Sequence, residues 1–289
     1  MQFLNSKTSE IFLNNQKYFI KRDDLLHSDF SGNKARKFYY FLQNELKGVK
    51  KIISYGSNQS NAMYSLSVLC KLKKLKFDYY VSHLPSFLKE NPNGNYKEAI
   101  KNGMNLIIGE VPNSFKEDEL FISEGGAVKE AKYGIEILAN EIKSWAKEQN
   151  IENSKLKIFL PSGTGTTALY LKHYLPFEVL TCSCVGDDEY LKKQFMALEK
   201  ENHPKILKKE KKYHFGKLYK EFYTKHLELK EQTKIEFDLL YDSLGWIIFE
   251  NFVKNLENKD DYIFLYIHQG GVLGNISMIE RYRFKFPNS

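Results

Sequence analysis

Short apolar runs alternate along this chain with longer segments whose apolar positions recur every three or four residues. The runs at 18–21, 51–55, 77–81, 105–108, 157–160, 178–185 and 262–268 read as strands. Between them, helical spacing appears at 34–45 (Phe38, Phe41, Leu42), in a helix ending near Leu72 (Met63, Leu66, Leu69, Cys70) and at 96–102. It returns at 127–148 (Ile135, Leu138, Ile142, Trp145), at 168–174, after Asp188 and through Trp246. Residues 110–119 are polar and irregular and read as a connection. Strand, helix and strand at this rhythm predict an α/β fold with parallel sheet covered on both faces.

Three loops between these elements carry candidate chemistry. In Ser31-Gly32-Asn33-Lys34-Ala35-Arg36-Lys37, Lys34 follows a turn-prone Gly-Asn pair at a helix start. Neighbouring cations lower the pKa of such an amine, which suits it to an aldehyde cofactor. Arg36 and Lys37 add positive charge suited to a phosphate; the alternative is a basic helix start facing water. Ser162-Gly163-Thr164-Gly165-Thr166-Thr167 lies between a strand and a helix. Its glycines allow close backbone approach, its hydroxyls add donors, and the helix points its positive end at an anion. It has neither the Lys-Ser/Thr close of a Walker loop nor a full GxGxxG, so an ordinary glycine-rich turn capped by its own hydroxyls stays open. Gln59-Ser60-Asn61 opens another helix, either as a ligand-facing amide and hydroxyl set or as a simple cap. His268 ends a strand before Gly270-Gly271, where it serves function or satisfies a neighbouring carbonyl. The other histidines show no metal spacing, so no metal site is expected.

Composition narrows the class. The 289 residues allow one large or two medium α/β domains, and 42% hydrophobic with 15% aromatic residues can bury a sizeable core. The net charge of +7 concentrates at Lys205–Lys212, which reads as a solvated lysine helix because Glu210 interrupts it and no nucleic-acid motif accompanies it. Cys70, Cys182 and Cys184 lack metal spacing, and Cys182 and Cys184 should share one face of a strand. An odd, sparse cysteine set predicts a reduced cytoplasmic chain. Met1-Gln2-Phe3-Leu4-Asn5-Ser6 lacks the charged-then-apolar plan of a signal peptide. No apolar run approaches the roughly 20 residues of a membrane span, so a soluble protein is expected.

Taken together the motifs resemble a known family. Ile20-Lys21-Arg22-Asp23-Asp24 with Gly32-Asn33-Lys34-Ala35-Arg36-Lys37 is similar to the first block of the 1-aminocyclopropane-1-carboxylate deaminase / D-cysteine desulfhydrase family. These are pyridoxal-phosphate enzymes of the tryptophan-synthase β type. Gln59-Ser60-Asn61, Glu124-Gly125-Gly126 with Tyr133-Gly134 and Glu136, the 162–167 loop, Asp238-Leu239-Leu240-Tyr241 and His268-Gln269-Gly270-Gly271 follow in the family's order. The resemblance runs from about Ile20 to Asn275. It implies fold type II: two domains of parallel sheet flanked by helices, residues 1–37 with 127–289 forming the larger and 38–126 an inserted smaller one, in a homodimer.

The resemblance also implies roles. Lys34 would bind the cofactor as a Schiff base and move the substrate proton. Lys37 and Ser162, Gly163, Thr164, Gly165, Thr166 and Thr167 would hold the phosphate. Asn61 would meet the ring's 3-hydroxyl oxygen, and Asp242 its nitrogen. Gln59 and Ser60 would meet the substrate carboxylate with Gln269 beside it, Ser60 and Tyr241 being further catalytic groups. Departures bear on the substrate: Ser243-Leu244 replaces the usual Gly-Lys, the pair Asp242/Gln269 matches neither branch, and Phe215-Gly216 stands for a Tyr-Gly. The expected activity is D-cysteine desulfhydration to pyruvate, ammonia and sulfide on a small amino acid. The alternatives are 1-aminocyclopropane-1-carboxylate deamination, racemisation or dehydration, or a non-catalytic amino-acid- or cofactor-binding protein. Nucleic-acid binding through 205–212 ranks below these.

Overall fold

The computed structural model describes residues 5–287; the signal-peptide reading of Met1-Gln2-Phe3-Leu4 therefore falls outside the described residues. The chain begins with a hairpin of β1 (Thr8–Leu13) and β2 (Gln16–Arg22). Asn14 and Asn15 turn it at φ 51° and 62°, the left-handed geometry whose twist matches that of the flanking strands. The apolar pattern alone predicts no β1; the Asn-Asn pair between two alternating runs is the signal that marks it.

Next come α1 (Gly32–Gln43), β3 (Lys51–Tyr55), α2 (Asn61–Lys73), β4 (Lys76–Val81), α3 (Ser86–Glu90), α4 (Gly94–Lys101), β5 (Met104–Ile108) and β6 (Glu119–Phe121). A long helix α5 (Ala131–Glu148) leads to β7 (Leu156–Ser162), α6 (Thr166–Tyr174), β8 (Glu178–Ser183), α7 (Asp188–Leu198) and β9 (Lys205–Ile206). The chain closes with α8 (Lys220–Thr233), α9 (Asp242–Lys254), β10 (Ile263–His268) and α10 (Asn275–Lys285). Strands β5-β4-β3-β6 make one wholly parallel sheet. The other has order β1-β2-β10-β7-β8-β9 and is parallel except for the β1–β2 hairpin.

The expected inward faces are inward. Met63, Leu66, Leu69 and Cys70 of α2 and Ile135, Leu138 and Ile142 of α5 are buried, whereas Trp145 is only half-buried and packs edge-on to Phe19. Cys182 and Cys184 do share a face, with sulfurs 3.9 Å apart. The 205–212 segment corrects the sequence reading: it is not a helix. Lys205 and Ile206 extend the sheet as β9, Leu207 is buried, and Lys209 Nζ donates to the Ser183 carbonyl at 2.8 Å. A sheet edge with an apolar pair to bury takes such a segment before its lysines can form a solvated helix. The helices α3, α8 and α10 also lie outside the sequence expectation.

Beneath the six-stranded sheet, Trp246 stacks flat on Tyr266 at 4.3 Å and meets Tyr18 edge-on at 5.2 Å. Burying side chains of this size contributes about 1.5–3 kcal/mol each. On the opposite side, α1 is tied to α5 and β2 by buried charges. Arg36 grips Asp23 at 2.8 and 3.0 Å and Glu141 at 2.7 and 2.8 Å, and Lys21 reaches Glu141 at 2.7 Å. Two cations and two carboxylates balance, so no charge within this network is left alone. Arg36 is thereby spent on the fold and does not supply the anion-binding charge suggested by the sequence.

Candidate active site

The carboxyl ends of β7 and β10 and the starts of α1, α2 and α6 converge on a cavity of about 270 Å³. In open α/β sheets this is where ligands bind. The residues to which the family resemblance gives cofactor, substrate or catalytic roles line it, from Lys34 and Lys37 through Gln59-Ser60-Asn61 and the 162–167 loop to Tyr241, Asp242 and Gln269; Arg36 and His268 do not.

Lys34 is placed by a tight junction. Gly32 sits at φ +67°, and a Cβ there would overlap the Gln269 carbonyl. That close approach lets Asn33 N–H donate to the same carbonyl at 3.0 Å, while the Asn33 side chain donates to Gln269 Oε1 at 2.8 Å. Gln269 Nε2 donates to the Pro161 carbonyl at 2.6 Å. Gln269 therefore spends its amide on pinning the start of α1 to the end of β7.

Burial lowers the Lys34 amine to about 8, against the opposing pull of the Asp238 and Glu124 carboxylates. Burial, then the neighbouring Lys34 ammonium, takes Lys37 well below the usual amine range. The main cause is thus loss of water rather than neighbouring cations. Lys37 Nζ donates to the Gly125 carbonyl at 2.9 Å, and no carboxylate pairs with either amine among the described residues.

The 162–167 loop faces them. Gly165 precedes α6 at φ +73°, and its missing side chain leaves room for Phe195 and Leu191. Ser162 is buried with its hydroxyl 2.6 Å from that of Thr181, which donates to the Leu160 carbonyl. Thr164 and Thr166 hydroxyls lie 3.2 Å apart. The Thr167 hydroxyl is buried without a hydrogen-bond partner among the described residues. A buried orphan donor at a helix N-terminus, opposite two amines without counter-charge, fits an anionic group such as a phosphate. Replacing Gly165 with alanine should cost roughly 2–4 kcal/mol, because φ is unfavourable and Cβ overpacks the Phe195 ring. Urea denaturation would check this, and a loss under about 0.5 kcal/mol would refute the packing account.

On the third wall, Ser60 caps α2 by accepting from the Ala62 and Met63 amides at 3.1 and 3.4 Å, which leaves its own proton to donate. Gln59 is engaged by α4: its Nε2 donates to Asn93 Oδ1 at 3.0 Å and its Oε1 accepts from Tyr96 N–H at 3.3 Å. Asn61 is not a cap. Its Oδ1 accepts from buried Asn95 at 2.7 Å, and its Nδ2 lies 3.5 Å from Asp238 Oδ2.

Asp238 accepts the Leu240 and Tyr241 amides at 2.9 and 2.7 Å, yet burial still raises it to about 6. Asp242 accepts from Tyr266 Oη at 2.7 Å and from Asp238 N–H at 3.0 Å. Burial first, and then Asp238, pushes its carboxyl well above the ordinary range. Tyr241 is half-buried, its phenol raised first by loss of water and then by Asp238, with Phe215 tilted against it at 5.4 Å. Sequence reasoning missed Glu124, Asp238 and Tyr190 as cavity residues; Asp238 and Glu124 stood in the motifs, but only folding turned them inward.

His268 lies outside the cavity lining. Its Nε2 pairs with the Glu236 carbonyl at 2.8 Å, its Nδ1 accepts from Gly270 N–H at 3.1 Å, and it stacks on Phe237. Burial lowers its pKa. It is a neutral strut.

No protein-family model matches the chain, and no curated protein matches it. Solved structures do. An ACC deaminase homologue aligns over 97% of this chain and 94% of its own, at 19% identity and a TM-score of 0.74. A hydrogen sulfide-producing enzyme from Fusobacterium nucleatum aligns over 94% of this chain and 97% of its own, at 11% identity and 0.61. A pyridoxal 5'-phosphate-dependent aspartate racemase aligns over 92% and 90%, at 12% identity and 0.61. This chain has their fold. The expected architecture of parallel sheets flanked by helices is therefore the observed one, although one edge of the larger sheet is antiparallel. Among the described residues, no helix is long and apolar enough to cross a membrane.

Proposed function

We propose that the protein is a pyridoxal-phosphate-dependent lyase or deaminase acting on a small amino acid, of the D-cysteine desulfhydrase kind. The observation that carries it is the pair of desolvated amines of Lys34 and Lys37, without an ion pair among the described residues, facing a glycine loop with an orphan Thr167 hydroxyl. When bound, pyridoxal phosphate supplies an aldehyde for amines and a ring that draws electrons from the substrate's α carbon. Lys34 Nζ is the amine that holds the aldehyde and afterwards accepts the α proton, a task eased by its pKa of about 8. Lys37, Thr167 and the α6 N–H groups hold the phosphate. Asn61 meets the ring oxygen, and the Asp242 carboxyl faces the ring nitrogen. Ser60 turns its hydroxyl towards the substrate, and Tyr241 with Phe215 closes the cavity over it. Gln59 and Gln269 act by positioning, since their amides are bound to Asn93, Tyr96, Asn33 and Pro161.

Phe215 beside Tyr241 removes a second hydroxyl from this wall, which favours β-elimination of sulfide over opening of a cyclopropane ring. Residues 1–37 with 127–289 form the proposed larger domain and 38–126 the smaller, supported by the confinement of strands β3 to β6 to Lys51–Phe121. A cytoplasmic homodimer is the proposed working form.

Adding pyridoxal phosphate to the purified protein should produce a visible absorbance band, and D-cysteine should then shift the band and release sulfide and pyruvate. A band with interconversion of D- and L-amino acids but no sulfide would replace the lyase with a racemase. No band at all would leave a repurposed fold.

A further inference from the structure

A second and larger cavity, about 450 Å³, opens between the β1–β2 hairpin, the 208–213 segment, α8 and α9. It shares no lining residue with the candidate active site. Its floor is Tyr18, only 2% exposed, whose hydroxyl has no hydrogen-bond partner among the described residues. A phenol buried to this degree normally finds a partner. Tyr18 lines the cavity instead of being sealed within the core.

The charges at the rim are unbalanced. Glu250 is consumed by Lys225 at 2.6 Å and Asn14 at 2.9 Å, and Glu210 accepts from Asn251 at 3.0 Å. Lys208, Lys254 and Lys259 line the same cavity and form no ion pair among the described residues. Leu13, Ile247, Ile248 and Val253 supply an aliphatic wall. Cationic rim, apolar wall and a tyrosine at the floor together describe a pocket for a molecule with one anionic end and an apolar body.

We propose that this cavity is a second ligand site, for a small organic anion. Its carboxylate, sulfonate or phosphate group is held by Lys208, Lys254 and Lys259, its body lies on the Leu13–Ile248 wall, and a polar atom meets Tyr18 Oη. The wall is contiguous with the candidate active site. Tyr18 meets Trp246 edge-on at 5.2 Å, Trp246 stacks on Tyr266 at 4.3 Å, and Tyr266 donates to Asp242 at 2.7 Å.

Anilinonaphthalene sulfonate, an anion on an apolar body, is a suitable probe, read by fluorescence titration of the full chain. The wild type should bind it saturably and more weakly as salt is raised. The double variant Lys208→Glu/Lys254→Glu should lose at least about tenfold in affinity with an unchanged thermal midpoint, because both side chains are exposed and unpaired. Tyr18→Phe should weaken the probe several-fold without lowering the midpoint, since the hydroxyl has no partner to lose. Affinity equal to wild type in the charge-reversed variant, or no saturable binding by the wild type, would overturn the proposal. Neither readout depends on pyridoxal phosphate, so the site can fail or stand independently of the proposed activity.

Discussion

Replacing Lys34 with alanine is expected to abolish the visible band formed with pyridoxal phosphate and to reduce sulfide release from D-cysteine by roughly 10⁴-fold or more, since covalent hold and proton transfer are lost together. The rival is Lys37, three residues on, which lines the same cavity and whose amine burial lowers further. Position separates them. Lys34 faces the Asp238 and Glu124 carboxylates, as a group working between ring and substrate should, whereas Lys37 is tethered to the Gly125 carbonyl. Lys37→Ala should therefore keep a band and weaken cofactor affinity. Lys34→Arg, which keeps the charge but cannot deprotonate, should behave like alanine.

Free amine is the reactive form, so the rate of cofactor uptake by the wild type should rise with pH and reach half its limit near a pH of about 8. The carboxylates of Asp238 and Glu124 hold that value up. Asp238→Asn should therefore move the profile to lower pH. A band that survives in Lys34→Ala and vanishes in Lys37→Ala would reverse the assignment.

Arg36→Met should destabilise the protein by about 3–5 kcal/mol, the cost of leaving buried carboxylates short of a partner. Against a typical total of about 5–15 kcal/mol, that brings the chain near unfolding. Asp23 and Glu141 would keep only the Lys21 ammonium between them. The loss should depend on pH. Burial would raise Glu141, but the Arg36 guanidinium and Lys21 hold it below the usual carboxylate range. A carboxylate depressed in the folded state stabilises above its unfolded pKa, and that contribution fades as pH falls through the folded one. Without Arg36, burial gains on the remaining Lys21 charge and Glu141 takes up a proton at higher pH. The gap between wild type and variant should then narrow in acid. Urea titrations at neutral pH and near pH 4 would measure it. A loss below about 1 kcal/mol, or one independent of pH, would place this network with ordinary surface pairs.

Much of the molecule could be read before its structure. The strand at Lys51–Tyr55 and the inward faces of α2 and α5 follow from apolar spacing, because burial of one face imposes a period that the sequence must carry. The loops at Lys34, Gln59-Ser60-Asn61 and 162–167 were legible because glycines and small polar residues at strand-to-helix turns have few other uses. All of them line one cavity, as their shared place at the carboxyl ends of parallel strands requires.

What the chain alone did not determine depends on partners far apart in sequence. Arg36 meets Glu141 across 105 positions, Gln269 meets Pro161 across 108, and Asn33 meets Gln269 across 236. Those contacts turn a cation that the sequence offered to a phosphate into a structural ion pair, and give the Gln269 amide partners on two other elements. Other long-range packing decides that Lys205–Ile206 closes a sheet edge and that Tyr18 lines a second cavity. Periodicity and turn chemistry are properties of neighbouring residues and survive in one dimension; hydrogen-bond partners, desolvation and the pKa values that follow from them exist only once distant segments share one interior.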